Sequence, residues 1–318
     1  MSFKDKFNFE GFWAIEENKD FKRFTIDNTI LSLSIAAAYF GWFFGVVQFR
    51  VEHWILFYLV VSLYYFNRVT RSFCKSMFPF AIFWVFYDSM RLVPNYTVNH
   101  VHIQEVYNLD KYLFGIYDNG VKISLNEYLS KYHKPIFDFL SGFFYINWIP
   151  VPFLFGVFAF IKDKLLVYSF ANNFLFVNLL GFCFFYIYPA APPWYVAEYG
   201  FVENFDMMGN MGNLKYFDAI VGKDIFKGLY QINANVFASM PSLHSAYPLI
   251  VLYYAMKLKN KWITFGFSFF CVGIWCSAVY SNHHYVIDVI GGIACAMLSI
   301  FLFNLFLKKP MIKYIMPL

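Results

Sequence analysis

The side chains best suited to catalysis in this sequence are two histidines and an aspartate. His284 and Asp288 are four residues apart, so on a helix they share a face and Asp288 can accept a hydrogen bond from one imidazole nitrogen. The other nitrogen of His284 is then free to attack an electrophile such as phosphorus. His244 occurs earlier, in PSLHSA, where Pro241 suits the first position of a helix and places His244 in its first turn. A second histidine at the same site predicts acid and base catalysis.

Two helices and a short basic turn separate the two histidines. Each helix is about 25 to 28 Å long at a rise of about 1.5 Å per residue, so this helical hairpin should return His284 to the neighbourhood of His244. A third polar cluster, YPAAPPWY at 188 to 195, ends an earlier apolar stretch at prolines that cannot continue a helix. The span count places all three clusters on one face of a membrane. Ionisable groups at such a border cost free energy unless they are paired or solvated. The presence of several such groups on one face therefore indicates a functional site.

The composition excludes an ordinary soluble domain. Of 318 residues, 60% are hydrophobic and only 14% are charged, whereas soluble domains carry about 25% charged residues. The sequence therefore predicts an all-α, polytopic membrane helix bundle. Apolar runs bounded by charge or proline give eight expected spans: 28 to 49, 53 to 66, 77 to 94, 136 to 161, 165 to 188, 241 to 257, 262 to 280 and 284 to 307. The second span is short enough to be re-entrant, and the stretch from 101 to 132 is too polar to cross.

Charge is distributed unevenly over the two sides that these spans define. The side with both termini has 16 lysines and arginines against 7 acidic residues, and the other side has 9 against 13. By the positive-inside rule both termini are expected in the cytoplasm. Residues 1–27 then form a cytoplasmic segment without a cleavable signal peptide, and residues 28–318 form a single transmembrane domain with outer loops near 95–135 and 189–240. We interpret the lysines as topology signals and expect no nucleic-acid partner.

The order PPWY, PSLHSA and HHYxxD resembles the type 2 phosphatidic acid phosphatase superfamily, and within it the inositol phosphorylceramide synthase branch. These motifs cover about residues 188 to 292, and a weaker similarity includes Asp110 in DKYLFG. The resemblance implies a six-helix catalytic core in which His284 is the nucleophile and forms a phosphohistidine. It also implies that Asp288 orients His284, that His244 is the acid and base, and that no metal or other cofactor takes part.

The sequence departs from the phosphatases of that superfamily in its basic residues. Those enzymes have a KxxxxxxRP cluster and an arginine six residues before the nucleophilic histidine. This chain has Ala278 at the second place and no arginine or lysine near Pro193. A phosphomonoester dianion needs a stronger cationic clamp than a phosphodiester with a single charge. The differences therefore favour transfer of a phosphodiester group over hydrolysis of a monoester.

The resemblance implies a phosphotransferase that moves phosphoinositol from phosphatidylinositol to ceramide and releases diacylglycerol. Phosphoethanolamine and phosphoglycerol donors stay open at this stage. A lipid phosphate phosphatase is the alternative enzyme, and a non-catalytic lipid-binding or transport protein would account for the composition but not for the histidines. The expected partners are the donor phospholipid, ceramide and the bilayer, with a homo-oligomer or accessory subunit left open. The active site should face the periplasm or a lumen, and a bacterial inner membrane is favoured over a eukaryotic secretory membrane.

Six further residues are predicted to contact the substrates: Arg91, Ser242, Ser245, His283, Trp194 and Tyr195. Arg91 is the better placed of two arginines on the active face to bind phosphate, with an ion pair to Asp88 three residues earlier as the alternative. His283 could bond substrate hydroxyls or cap the helix. Trp194 and Tyr195 are expected at the lipid entrance or in an interfacial aromatic belt.

Overall fold

The computed structural model describes residues 21–231 and 235–315, so most of the predicted N-terminal segment lies outside the described residues. The helices, in chain order, are α1 (Ile26–Trp42), α2 (Val51–Phe66), α3 (Arg68–Ser89), α4 (Gln104–Phe114), α5 (Leu125–Lys131), α6 (Pro135–Tyr145), α7 (Pro150–Lys162), α8 (Lys164–Ile187), α9 (Pro193–Tyr199), α10 (Leu214–Val221), α11 (Ile225–Gln231), α12 (Leu243–Met256), α13 (Lys261–Tyr280), α14 (Val286–Leu302) and α15 (Lys308–Ile315). Strands β1 (Ile116–Asp118) and β2 (Val121–Ile123) form an antiparallel hairpin between α4 and α5.

The architecture is that of a helical membrane protein, and helices lie at all eight expected spans, with two of them, α6 and α7, at the span 136 to 161. Among the described residues, four stretches are long and apolar enough to cross a membrane: Ile26–Val47, Lys164–Ile187, Lys261–Tyr280 and Val286–Lys313. A pair bent by 48°, Pro135–Trp148 with Pro150–Lys162, is a fifth candidate. The remaining helices at expected spans are shorter or more polar. The number eight therefore stays a prediction.

The polar stretch near 67–76, which the sequence predicts as a cytoplasmic loop, is the beginning of α3. Asn67 caps this helix, since its side-chain oxygen accepts the N–H of Thr70 at 2.8 Å and Thr70 Oγ1 accepts the N–H of Asn67 at 3.1 Å. A reciprocal cap of this kind stabilises a helix start by about 1 kcal/mol. Local capping thus extends α3 several residues ahead of its apolar part.

A second departure is the β-hairpin in the stretch from 101 to 132, a small exception to the all-α class. The turn contains Asn119 with φ +50° and Gly120 with φ +80°. An Asn-Gly pair suits the two left-handed positions of such a turn. The pair in IYDNGVKI is the sequence signal that predicts it.

The described helices belong to two compact units, one formed by Met1–Leu92 with Phe155–Asn172 and the other by Val93–Leu154 with Asn173–Leu318. In the first unit, the rings of Phe155 and Phe170 pack with their centroids 4.8 Å apart. Gly156 lets α7 lie close to α3, because a Cβ there would be 2.7 Å from Met77 Cε.

The first unit also contains a buried ionic cluster at the end of α3. Asp88 is 2% exposed. It accepts hydrogen bonds from Arg91 Nε at 3.0 Å and His53 Nε2 at 3.1 Å, and it forms an ion pair with Arg50. The Nδ1 atom of His53 accepts the N–H of Arg50 at 3.0 Å, and the ring stacks on Phe43 with centroids 3.8 Å apart. This cluster joins the turn between α1 and α2 to α3.

The main core of the second unit joins α6, α10, α11, α13 and α14. Its buried members are Tyr145, Leu214, Phe217, Phe226, Ala278, Val279 and Val289. Close contact depends on Gly142 and Gly273, where an added Cβ would lie 2.1 Å from Phe217 and 2.4 Å from Phe144, respectively. The histidine segments at the starts of α12 and α14 are anchored beside this core.

Candidate active site

The starts of α12 and α14 lie against each other in the second unit. The N–H of Ser242 donates to the carbonyl of Asp288 at 2.9 Å. Gly292 makes this approach feasible, because a Cβ there would lie only 2.1 Å from the carbonyl oxygen of Ser242. Ser242 is the N-cap of α12, so the prediction that Pro241 occupies the first helical position is wrong. The serine hydroxyl, rather than the proline ring, defines the helix start.

His244 is the second residue of α12, and the structure brings its ring to His284. His244 Nδ1 and His284 Nε2 are 2.9 Å apart, a hydrogen-bonding distance. On its other side, His284 Nδ1 is 3.1 Å from the carbonyl oxygen of Ser239. A carbonyl only accepts, so His284 carries its proton on Nδ1, and the lone pair on Nε2 accepts the Nδ1 proton of His244. The nitrogen with the lone pair is the one able to attack phosphorus.

The predicted direct hydrogen bond between His284 and Asp288 is wrong. His284 precedes α14 by two residues, so the i, i+4 spacing of a helix does not apply, and its Nδ1 lies 3.7 Å from Asp288 Oδ2. Ser239 bridges the gap, because its hydroxyl donates to Asp288 Oδ2 at 2.6 Å while its carbonyl accepts from His284. Asp288 also accepts the N–H of Tyr285 at 2.9 Å. The carboxylate therefore lies within Coulombic range of the imidazole, without direct contact.

Aromatic rings enclose the histidine pair. Tyr145 stacks against His244 with centroids 5.0 Å apart, and Trp148 meets His244 edge-on at 4.5 Å. His283 stacks between Tyr145 and Tyr230, at 5.4 and 4.3 Å. Most of His284 is buried, with 4% exposed. These rings exclude water from the site, which strengthens electrostatic interactions inside it.

His283 is predicted to contact substrate, and in this structure its polar atom is engaged by the protein. Its Nε2 donates to the carbonyl of Met211 at 3.0 Å. Burial, together with the charge of His284, lowers the pKa of His283 to about 3. The ring is therefore neutral at ordinary pH and holds the segment around Met211 against the site. A contact with substrate hydroxyls stays a prediction.

The other predicted substrate contacts are engaged in local structure. Ser242 Oγ accepts the hydroxyl hydrogen of Ser245 at 3.1 Å, and both residues are fully buried. Trp194 is 5% exposed and packs with Tyr195 in a separate apolar cluster. The hydroxyl of Tyr195 donates to the carbonyl of Val202 at 2.6 Å. The structure thus favours packing for the aromatic pair, and their place at a lipid entrance stays a prediction.

Arg91 belongs to the first unit, whereas the other predicted site residues belong to the second. Its Nε donates to Asp88 at 3.0 Å, which is the ion pair that the sequence offers as the alternative. Its role as a phosphate ligand stays a prediction.

Sequence reasoning assigns no role to three residues that hold the segment around His284: Ser239, Asn126 and Asp110. Asn126, in α5, is 1% exposed and donates from Nδ2 to the carbonyls of Val279 at 2.9 Å and His284 at 3.0 Å. This amide fixes the backbone of the nucleophile itself. The signal available in the sequence is weak, because Asn126 lies more than 150 residues before the loop that it holds.

Asp110 in α4 caps α14 from a distance. The side chain of Tyr285, the N-cap residue, makes no cap hydrogen bond, and Asp110 Oδ1 instead accepts the N–H of Ile287 at 3.0 Å. Burial, and secondarily the charge of Asp288, raise the pKa of Asp110 to about 6. The polar stretch from 101 to 132 thus contacts the helix that follows His284. In the sequence, Asp110 stands out only as part of the DKYLFG similarity.

Within the part of the chain that the structure describes, no group of three or more His, Cys, Asp or Glu side chains is arranged to hold a metal ion. The side chains of the site itself supply two imidazoles and a carboxylate, beside the dipoles of helix starts. That set suits attack by nitrogen on phosphorus and proton transfer to and from oxygen.

Comparisons with known proteins agree with this chemistry. A profile described as the PAP2 superfamily matches residues 118–302. The chain is 45% identical over 265 residues to the phosphoinositol dihydroceramide synthase of Bacteroides thetaiotaomicron, covering 83% of this chain and 87% of that protein. It is 33% identical over 141 residues to the inositol phosphorylceramide synthase of Candida albicans, and 26% identical over 242 residues to the catalytic subunit of that enzyme from Schizosaccharomyces pombe. The matches cover 28% and 53% of these two fungal proteins. No solved structure matches significantly.

Proposed function

The chain belongs to the PAP2 superfamily, and from that premise we propose that it transfers phosphoinositol from phosphatidylinositol to a ceramide-type lipid with release of diacylglycerol. It is an enzyme of the inositol phosphorylceramide synthase type, in keeping with a 45% identical relative that is named a phosphoinositol dihydroceramide synthase. The observation that carries the mechanism is the contact of 2.9 Å between His244 Nδ1 and His284 Nε2. It supplies a nitrogen lone pair and an available proton at one point.

In the first half-reaction the lone pair on His284 Nε2 forms a bond to phosphorus. The bond between phosphorus and the diacylglycerol oxygen breaks, and that oxygen takes the Nδ1 proton of His244, which enters this step doubly protonated beside the phosphodiester anion and is left as a neutral imidazole. Diacylglycerol leaves, and the phosphoinositol group stays on His284. The ring of His284 becomes cationic in this step, and the negative charge of Asp288 stabilises it across the gap of 3.7 Å.

In the second half-reaction the primary hydroxyl of the ceramide attacks phosphorus. Its proton passes to His244, which lost one in the first step, and the bond between phosphorus and His284 breaks. The lone pair returns to Nε2, so the enzyme ends in its starting protonation state. The product is a phosphoinositol ceramide, and the cycle requires no metal or other cofactor.

We further propose that all eight expected spans cross the bilayer, with both termini in the cytoplasm and the active site on the periplasmic or lumenal side. The excess of lysine and arginine on one side of the chain supports this orientation. A bacterial inner membrane is the favoured location, in line with the bacterial source of the 45% identical relative.

The proposal is tested by turnover of a fluorescent ceramide by the purified protein in detergent. Phosphatidylinositol, phosphatidylethanolamine and phosphatidate are offered separately, and ceramide is compared with dihydroceramide as acceptor. We expect a charged fluorescent product only with phosphatidylinositol. Release of inorganic phosphate from phosphatidate without a ceramide product would instead identify a lipid phosphate phosphatase.

The matched control is His284→Ala, analysed for thermal stability beside the wild type. A variant that unfolds at the wild-type temperature and makes no product supports the phosphohistidine mechanism. Turnover at the wild-type rate in this variant would exclude His284 as the nucleophile.

A further inference from the structure

A cavity of about 620 Å³ in the first unit is surrounded by positive charge. Five of its ten lining residues are cationic: Lys22, Arg68, Arg71, Lys75 and Lys164. The other lining residues are polar or aromatic, and no acidic side chain is among them in the described part of the unit. The lining therefore presents guanidinium, ammonium and neutral polar groups, which are the groups that bind phosphate oxygens in proteins.

Helix starts add to this positive potential. The cavity is lined by Thr25 and Asn28 at the start of α1, by Arg68 and Ser72 in the first turns of α3, and by Lys164, the first residue of α8. These helices have 17, 22 and 24 residues. The N-terminus of each carries a partial positive charge and N–H groups without partners inside the helix. One N–H of each start is already capped, by Thr25 in α1, by Asn67 in α3 and by Asp163 in α8, so the three starts contribute their dipoles to the lining of the cavity.

The cavity has a rigid wall. The Arg71 guanidinium donates to the carbonyls of Tyr64 at 3.0 Å, Lys22 at 3.3 Å and Arg23 at 2.6 Å. It also lies over the ring of Phe21, 4.3 Å from its centroid. The residue is 9% exposed. A buried cation held by three carbonyls is a built feature of the fold, which distinguishes it from a loose surface charge.

We propose that this cavity binds a phosphate-bearing anion, either the head group of an anionic phospholipid or a soluble phosphate ester. Topology signalling accounts for lysines near membrane spans, but it does not require that five cations and three helix starts converge on a cavity. Pockets of about 300 to 1,000 Å³ suit molecules larger than a bare ion, so the volume favours a phosphate with an organic substituent. The site shares no residue with the histidine site, and the proposal does not depend on the proposed function.

Binding is measured on the purified full-length chain with two probes. The lipid probe is fluorescent phosphatidic acid in phosphatidylcholine bicelles, and the soluble probe is glycerol 3-phosphate, followed by calorimetry. The test variant is Lys22→Ala with Lys75→Ala, since both side chains line the cavity and are exposed. The matched control, Lys259→Ala with Lys261→Ala, removes the same charge from another basic turn, so any binding at the histidine site stays equal.

We expect the Lys22 and Lys75 variant to bind one of the two probes about thirtyfold more weakly, because it removes two lysines and each basic residue near an anionic lipid surface contributes about 1 kcal/mol. The control should bind like the wild type, and Lys22→Arg with Lys75→Arg should retain binding. Loss confined to phosphatidic acid identifies a lipid site, and loss confined to glycerol 3-phosphate identifies a soluble ligand. Equal affinities of the test and control variants for both probes, or no binding of either probe to the wild type, would overturn the proposal.

Discussion

Asp88 in the first unit and Asp288 in the second are both buried beside a histidine, but their other partners differ in charge. Asp88 is bonded by two arginines, Arg50 and Arg91, and by His53 at 3.1 Å. Its negative charge is already compensated in the folded protein. Because the two arginines lie within hydrogen-bond range, a new positive charge on His53 would gain little from this carboxylate.

Asp288 has only neutral donors around it among the contacts of the described residues. The Ser239 hydroxyl and the Tyr285 N–H donate to its Oδ2 at 2.6 and 2.9 Å, and its Oδ1 is buried without a hydrogen-bond partner. Its charge is therefore left for His284, which becomes cationic only during the proposed reaction. Arginines compensate the charge of a buried aspartate in the folded protein, so that aspartate contributes to the structure. Neutral donors leave the charge uncompensated, so the aspartate can stabilise a positive charge that develops in a transition state.

The largest contrast in turnover is expected between substitutions of His284 in the second unit and His53 in the first unit. His284→Ala should reduce turnover about 10⁴-fold or more, because removal of a nucleophile abolishes the covalent route. His53→Ala should lower the unfolding temperature and leave the turnover per folded molecule within about threefold of wild type, because it removes only packing and the two hydrogen bonds of the ring, to Asp88 and from the N–H of Arg50. Both variants are measured by ceramide turnover and thermal unfolding. An equal loss of turnover per folded molecule in both variants would contradict a catalytic role for His284 and a structural role for His53.

Substitutions of the two aspartates should show the same contrast, with a smaller difference in turnover. Asp288→Asn keeps the shape and removes the charge, and we expect turnover to fall about 10³-fold, in the range seen when the carboxylate behind a catalytic histidine is neutralised. Asp88→Asn leaves Arg50 and Arg91 without their anion, so its main effect should be a lower unfolding temperature. Full activity of Asp288→Asn would mean that the charge of Asp288 is not used in catalysis.

The bridging serine sharpens the comparison further. Ser239→Ala removes the hydroxyl that donates to Asp288 but keeps the carbonyl that accepts from His284, so we expect a loss of about tenfold in turnover, equivalent to one hydrogen bond to a charged group. The matched control is Ser89→Ala, since Ser89 Oγ accepts the indole N–H of Trp42 in the first unit at 2.8 Å. Turnover that falls equally in both variants would contradict a specific role for the bridge.

The smallest expected effect is a pH dependence of stability due to Asp110, another buried carboxylate with neutral donors. Burial raises its pKa to about 6, from the ordinary value of 3.8 for an aspartate. The folded chain therefore binds the proton more tightly than the unfolded chain does. The stability that this contributes is present below pH 3.8 and is lost as the pH rises through 6.

Asp110→Asn retains an oxygen for the N–H of Ile287 and has no proton to lose in that range. Its unfolding temperature, relative to the wild type, should therefore be higher at pH 8 than at pH 5, as measured in the same detergent. A difference that does not change between the two pH values would show that Asp110 keeps one protonation state throughout.

Much of the scaffold follows from local patterns in the sequence. Apolar length and flanking charge predict helical structure at each of the eight expected places, and the return of His284 to His244 follows from a helical hairpin with a short turn, although its two helices have 14 and 20 residues. The sequence predicts the start of α3 too late, because hydropathy depends only on composition. The cap at Asn67 depends on hydrogen bonds, which hydropathy does not include. The hairpin at Asn119 is missed because a membrane-span reading does not look for turns.

The inner geometry of the site is less accessible to sequence reasoning. Spacing correctly pairs His284 with Asp288 as neighbours, but it assumes helical geometry two residues too early and so predicts a direct bond in place of the Ser239 bridge. Asn126 and Asp110 approach the same loop from distant parts of the chain. No periodicity connects such residues, because their contact depends on tertiary folding rather than on local conformation.

The hydrogen bond between the two catalytic histidines also bears on which acceptor the enzyme uses. While the rings are joined at 2.9 Å, the attacking nitrogen is occupied and nothing can react, so the resting protein is idle towards stray phosphodiesters. A bound phosphate has to break the hydrogen bond between the two rings. A lipid whose acyl chains are held in the bilayer stays at the site longer than a small ion does, so it breaks this bond more often. Once the phosphoryl group is in place, the surrounding tyrosines and tryptophan leave little room for water. Under the proposed mechanism this suppresses futile hydrolysis, and the phosphoinositol group stays on His284 until a second lipid arrives to receive it.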